Sequence, residues 1–162
     1  VPAGFEEFVQ ETTKEEQEQA DKDVKWIQTR VHQLVVDKLR EIHGKDFFDS
    51  AISNKEIQAR AYQKRLDDEP SQRGELDVYL DFVDLRKIVE QAENWPLFEQ
   101  SLNIPLPNQK KGMAKYVKWF DEVNRIRRIP AHPYKRSYSR DDLQLLKLIT
   151  AHLGHAATTK VT

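Results

Sequence analysis

From Ala20 to Ile42 the apolar residues return at steps of three and four: Ala20, Val24, Ile27, Val31, Leu34 with Val35, Leu39 and Ile42. That rhythm predicts one long helix with a single apolar stripe. Thr13 and Glu16, in T-K-E-E, are spaced for a capping box ahead of it, and Gly44 is placed to stop it. At about 30 residues it exceeds the ~10–14 of ordinary globular helices, and suits a bundle spine or a dimer face. Further helical stretches are expected from Asp46 to about Ile52 and from Asn54 to about Asp67, with D-E-P-S-Q-R-G (68–74) a loop by composition. Residues 76–90 are ambiguous at their start, where Val, Tyr and Leu also fit a strand; Leu85, Ile88 and Val89 have helical spacing.

A short helix is expected over 94–100, with Pro96 near its first turn, and then a proline-stiffened loop, S-L-N-I-P-L-P-N. The next predicted helix covers about 109–128 and buries Met113, Tyr116, Val117, Phe120, Val123 and Ile126, until Pro130 ends it. Ser139 and Asp142 form a second capping box, opening a last helix through Leu143, Leu146, Ile149 and Leu153. Gly154 is expected to end that helix, leaving 155–162 as a frayed tail. Residues 1–12 read as a short helix through Phe5, Phe8 and Val9 or as a loose segment. No stretch is a clear strand. The expectation is an all-α helical bundle, a single domain over 13–154, with one long N-terminal helix and a C-terminal helix pair.

Composition narrows this picture. The chain has 162 residues, enough for one domain with a core, and its five Gly and seven Pro suit helices. The absence of cysteine excludes disulfides, thiol catalysis and thiolate metal sites, and fits a reducing, cytoplasmic setting. No run approaches the ~18 apolar residues of a membrane span, so no membrane partner is expected. The first residues lack the charged start and apolar core of a signal peptide. The chain opens V-P-A-G without a methionine, which reads as a piece of a longer protein and leaves room upstream for an ATPase or sensor domain.

The net charge of −1 hides an uneven distribution. Residues 110–140 hold ten Lys and Arg against Asp121 and Glu122, a local +8, while the rest carries 16 basic and 25 acidic residues. Such asymmetry points to a polyanion site on an acidic body. The densest part is N-R-I-R-R-I-P-A-H-P (124–133), where Arg125, Arg127 and Arg128 crowd a helix end and His132 stands between two prolines. Positive charge at a helix C-terminus is favourable in itself, by a few tenths to ~1 kcal/mol per residue. That accounts for basic residues there, and could account for all of Arg125. Arg127 lies about 100° round the helix from Ile126 and so at the border of the buried stripe. A bordering guanidinium offers phosphate a planar fork, and a nearby imidazole can move a proton near neutral pH.

Other candidates are weaker. His32 and His43 read as helix-surface or core-edge residues. His152 and His155 are three apart but lack a third ligand, so no metal is expected. Asp81 and Asp84 read as a capping residue, or as partners for the arginines. Trp26, Trp95 and Trp119 read as core or interface anchors, with RNA stacking by Trp119 the less favoured alternative.

D-E-V-N-R-I-R-R-I-P-A-H-P resembles the signature of the HEPN family (higher eukaryotes and prokaryotes nucleotide-binding), small all-α domains with an Arg, usually an Asn-like polar residue, and a His four to six residues after the Arg. Here Arg127, Arg128 and His132 give R-x4-H. The helices V-K-W-F-D-E-V-N-R-I and D-D-L-Q-L-L-K-L-I, and the segment Y-L-D-F-V-D-L-R-K-I-V, also look like that family, so the resemblance spans roughly 20–153. It departs at Arg128, in the Asn-like position, and at Pro130 inside the motif. The resemblance implies a metal-independent endoribonuclease without cofactor, acting at a composite homodimer site, with Arg127 and His132 catalytic. Arg125, Arg128, Lys135, Arg136 and Arg140 would hold phosphate. The cut ends would be a 2′,3′-cyclic phosphate and a 5′-hydroxyl. The alternative that the resemblance leaves is a non-catalytic nucleotide-binding or dimerisation module of a larger protein.

Overall fold

Thr13 opens the first helix as its spacing predicts. Its Oγ1 accepts from the Glu16 N–H at 3.1 Å, and its own N–H donates to Glu16 Oε1 at 3.1 Å. From this cap α1 runs over Lys14–His43, and Gly44, at φ 78°, turns the chain out of it. The computed structural model describes residues 13–129 and 137–161, the last seven as backbone only. The expected helix around Phe5, Phe8 and Val9 lies outside these residues. The stripe of α1 is buried from Ala20 to Leu39; Ile42, beyond the packed part, is 52% exposed.

A single turn over Gly44–Asp46 leads into α2 (Phe47–Ala51), and α3 follows over Lys55–Asp67. Asn54 caps α3 through Oδ1, which accepts from the N–H groups of Glu56 and Ile57. The ambiguous start of 76–90 is a 3₁₀ turn, Leu76–Tyr79, rather than a strand. A strand needs a partner ladder, and among the described residues there is none. After it come α4 (Phe82–Glu90) and α5 (Trp95–Leu102). The buried Asn94 sits between them, its Nδ2 donating to the carbonyls of Ala51 and Ile88 at 2.9 Å each.

The predicted helix over 109–128 is shorter than its sequence suggests: α6 occupies only Lys118–Arg127. Gly112, at φ 87°, breaks the earlier part, and the backbone there bonds elsewhere. The Tyr116 N–H donates to Asn103 Oδ1 at 2.6 Å, and its carbonyl accepts from Ile104 N–H at 3.0 Å. Met113, expected inside, is accordingly 46% exposed. Helix α7 spans Arg140–Val161, opened by the reciprocal bonds between Ser139 and Asp142. It passes through Gly154 instead of ending there. Gly154 has no positive φ, and an interior glycine costs a helix only ~1 kcal/mol.

The result is an all-α bundle. Helices α2, α4, α6 and α7 all pack against α1, and beside it α6 meets both α4 and α7. Phe82, Trp119 and Phe120 fill this junction, with Phe82 and Phe120 ring centres 5.2 Å apart and Trp119 and Phe120 4.0 Å apart. Trp119 is fully buried and its Nε1–H donates to the Leu102 carbonyl at 2.9 Å, so it presents no face for a base to stack on. The end of α6 and the start of α7 flank the R-x4-H segment. Trp119→Ala should lower unfolding free energy by about 3–5 kcal/mol, whereas Trp26→Ala, at a 41% exposed position, should cost under about 1 kcal/mol; urea denaturation of the two variants checks this.

Candidate anion site between the long helix and the penultimate helix

Helix α6 buries Trp119, Phe120, Val123 and Ile126, and that stripe sets where its arginines point. Arg127 is half-buried at the border of the stripe, as its offset from Ile126 requires. Its Nε–H donates to Asn124 Oδ1, one turn back, at 2.8 Å. This contact fixes the guanidinium plane without neutralising it, because an amide carries no charge. No described carboxylate pairs with Arg127.

The neighbouring cations differ. Arg125 bonds Glu122 Oε2 at 3.0 Å and Asp142 Oδ1 at 2.8 Å, tying α6 to the first turn of α7. Burial alone would push the Arg125 guanidinium down, but its bonds to Asp142 and Glu122 outweigh this and raise its pKa. For Asp142, burial pushes the carboxyl up, and Arg125 with the Ser139 N–H and hydroxyl more than offsets it, so the pKa lies below the ordinary 3.8. Arg140 pairs with Glu16, joining the starts of α7 and α1. Arg128 is the exposed C-cap of α6. His132, Lys135, Arg136 and both flanking prolines lie outside the described residues.

Arg127 opens into a cleft of about 450 Å³. One wall is α1, through Gln28, Thr29, His32 and Gln33; the other is the start of α4, through Leu80, Asp81, Phe82 and Leu85. Leu80, Phe82 and Leu85 supply apolar surface, the glutamines donors and acceptors, and Arg127 the positive charge. Asp81 does not cancel it, since its Oδ2 is held by Lys64 Nζ at 3.0 Å. Asp84 pairs with Arg60 at 2.8 Å and accepts from the Asp81 N–H at 3.0 Å. The aspartates flanking Phe82 thus cap α4 and bind α3 rather than the motif arginines.

His32 is more than a surface residue. Its Nε2 lies 2.9 Å from the carbonyl oxygen of Asp77 and 3.5 Å from that residue's Oδ2. Asp77 is buried in the 3₁₀ turn and also faces Arg40 at 3.8 Å. The sequence does hold a trace of this wall: Gln28, Thr29, His32 and Gln33 recur at steps of one and three beside the apolar stripe. What conceals it is that the opposite wall comes from residues about 50 positions later. Among the described residues no group of three or more His, Asp or Glu side chains is arranged to hold a metal ion. No described helix is long and apolar enough to cross a membrane. No protein-family model, curated protein or solved structure matches this chain.

Two stability tests separate the arginines. Arg125→Ala strands the Asp142 carboxylate and should cost about 1–2 kcal/mol, while Arg127→Ala should cost under about 0.5 kcal/mol, both read by urea denaturation. The depressed carboxyl of Asp142 stabilises the fold fully above its ordinary pKa of 3.8 and ceases to as pH falls through its lower folded value. The stability gap between the native chain and Asp142→Asn should therefore be constant near neutral pH and shrink only below 3.8.

Proposed function

We propose that the chain is a HEPN-type, metal-independent endoribonuclease that cuts single-stranded RNA. The observation that carries this reading is Arg127, a half-buried guanidinium held in plane by Asn124, free of any described carboxylate and facing a polar cleft. The neighbouring Arg125 and Arg140 are matched to acids; Arg127 is oriented by an amide and left available to an external anion. Its planar fork fits the oxygens of a phosphate.

His132, five positions further along the chain, supplies the proton chemistry. As a base it takes the proton of the RNA 2′-hydroxyl, and O2′ attacks the adjacent phosphorus. The bond to the 5′-oxygen breaks, and that oxygen leaves with a proton from an imidazolium. Arg127 stabilises the extra negative charge on the phosphoryl oxygens as the new bond forms. Products are a 2′,3′-cyclic phosphate and a 5′-hydroxyl. Two protomers bring their Arg–His pairs to one composite site, with Arg128, Lys135 and Arg136 along the RNA backbone and Arg125 and Arg140 at its edge. On this reading the enzyme works in the cytoplasm, in defence.

The test is cleavage of a labelled single-stranded RNA in EDTA. Wild-type protein should cut it, His132→Ala should be slower by about 10²–10⁴-fold, and Arg127→Ala by about 10²–10³-fold, with the fold unchanged by circular dichroism. Intact RNA under all conditions rejects the nuclease. RNA or nucleotide binding that needs Arg127 yet brings no cleavage identifies a non-catalytic nucleotide-binding module instead.

A further inference from the structure

We propose that His32 is a second anion contact in the Arg127 cleft, which makes phosphate binding there dependent on uptake of a proton. The inference rests on the reading of that cleft as a phosphate site. A carbonyl oxygen only accepts, so the 2.9 Å contact to Asp77 requires the proton of neutral His32 to sit on Nε2. No described residue hydrogen-bonds Nδ1. The imidazole is therefore held at Nε2, and His32 stands on the wall of the cleft that Arg127 also lines.

In the neutral ring Nδ1 is an acceptor and repels a phosphate oxygen. Once protonated, it becomes a charged donor. The Asp77 carboxylate lies 3.5 Å from Nε2, and Arg40 shares that carboxylate at 3.8 Å. Asp81 is occupied by Lys64. A phosphodiester that touches both Arg127 and His32 binds the protonated ring more tightly than the neutral one. Proton uptake and anion binding are thus linked, each favouring the other.

The probe is a short single-stranded RNA with 2′-O-methyl groups, which cannot be cut and whose phosphodiesters keep one charge each across the range studied. Binding by fluorescence anisotropy should tighten as pH falls from about 8 to about 5.5, through the range where histidine takes up its proton. His32→Gln retains an N–H for the Asp77 carbonyl but cannot gain charge. It should bind like the native chain at the upper end and roughly tenfold more weakly at the lower end, the loss of one charge-assisted hydrogen bond. A native-like pH profile in His32→Gln overturns the proposal. Arg127→Ala should weaken binding throughout. If the native chain binds no RNA, the nuclease reading falls, and inorganic phosphate decides the status of His32. A phosphate-induced shift of the His32 imidazole resonances that is lost in Arg127→Ala upholds it, and unmoved resonances refute it.

Discussion

Along α1, Ala20, Val24, Ile27, Val31, Val35 and Leu39 are withdrawn from water on one face, and each larger side chain contributes roughly 1.5–3 kcal/mol by that burial. Helices α2, α4, α6 and α7 all find their apolar surface against this face. It follows that the angle at which α1 is seated decides which of its polar residues stand at the edge of the core. Gln28, Thr29, His32 and Gln33 come to that edge where α4 and α6 meet α1. The cleft exists because three helices converge on one stripe whose flanks are polar.

The acidic body of the protein shapes the electrostatics as much as its basic segment does. Glu122 and Asp142 engage Arg125, Glu16 engages Arg140, and Asp121 and Glu90 engage Arg86. These pairs clip α6 to α7, α7 to α1 and α4 to α6. What remains at the end of α6 is charge that the fold does not use internally, concentrated on Arg127 and Arg128. Asn124 is well suited to its place beside Arg127, since it orients the guanidinium while leaving its charge whole. A carboxylate at position 124 would orient it too, but would compete with phosphate.

Much of the architecture was legible along the chain, because local rules and tertiary packing agree there. Thr13 with Glu16 and Ser139 with Asp142 cap the helices their spacing predicts, and the apolar steps of α1 and α7 become buried faces. The exceptions occur where distant partners compete for the backbone. Residues 109–117 have side chains that suit a helix, yet Asn103 and Ile104 take the polar groups of Tyr116. At Gly154 the reverse holds: a residue that often stops helices is carried through by the buried face of Leu146, Ile149 and Leu153 before it.

The chain by itself determined an all-α bundle, its long first helix, the place where α6 ends and the border position of Arg127. Each depends on periodicity, capping or helical offset, which act over a few residues. Tertiary structure alone decided which arginine remains available and what faces it. Glu122 is near Arg125 in sequence, but Asp142 reaches it from another helix, and His32 and Asp77 meet across 45 positions. Charge pairing and cleft formation depend on distances in space, and those follow only once the stripe of α1 has gathered the other helices around it.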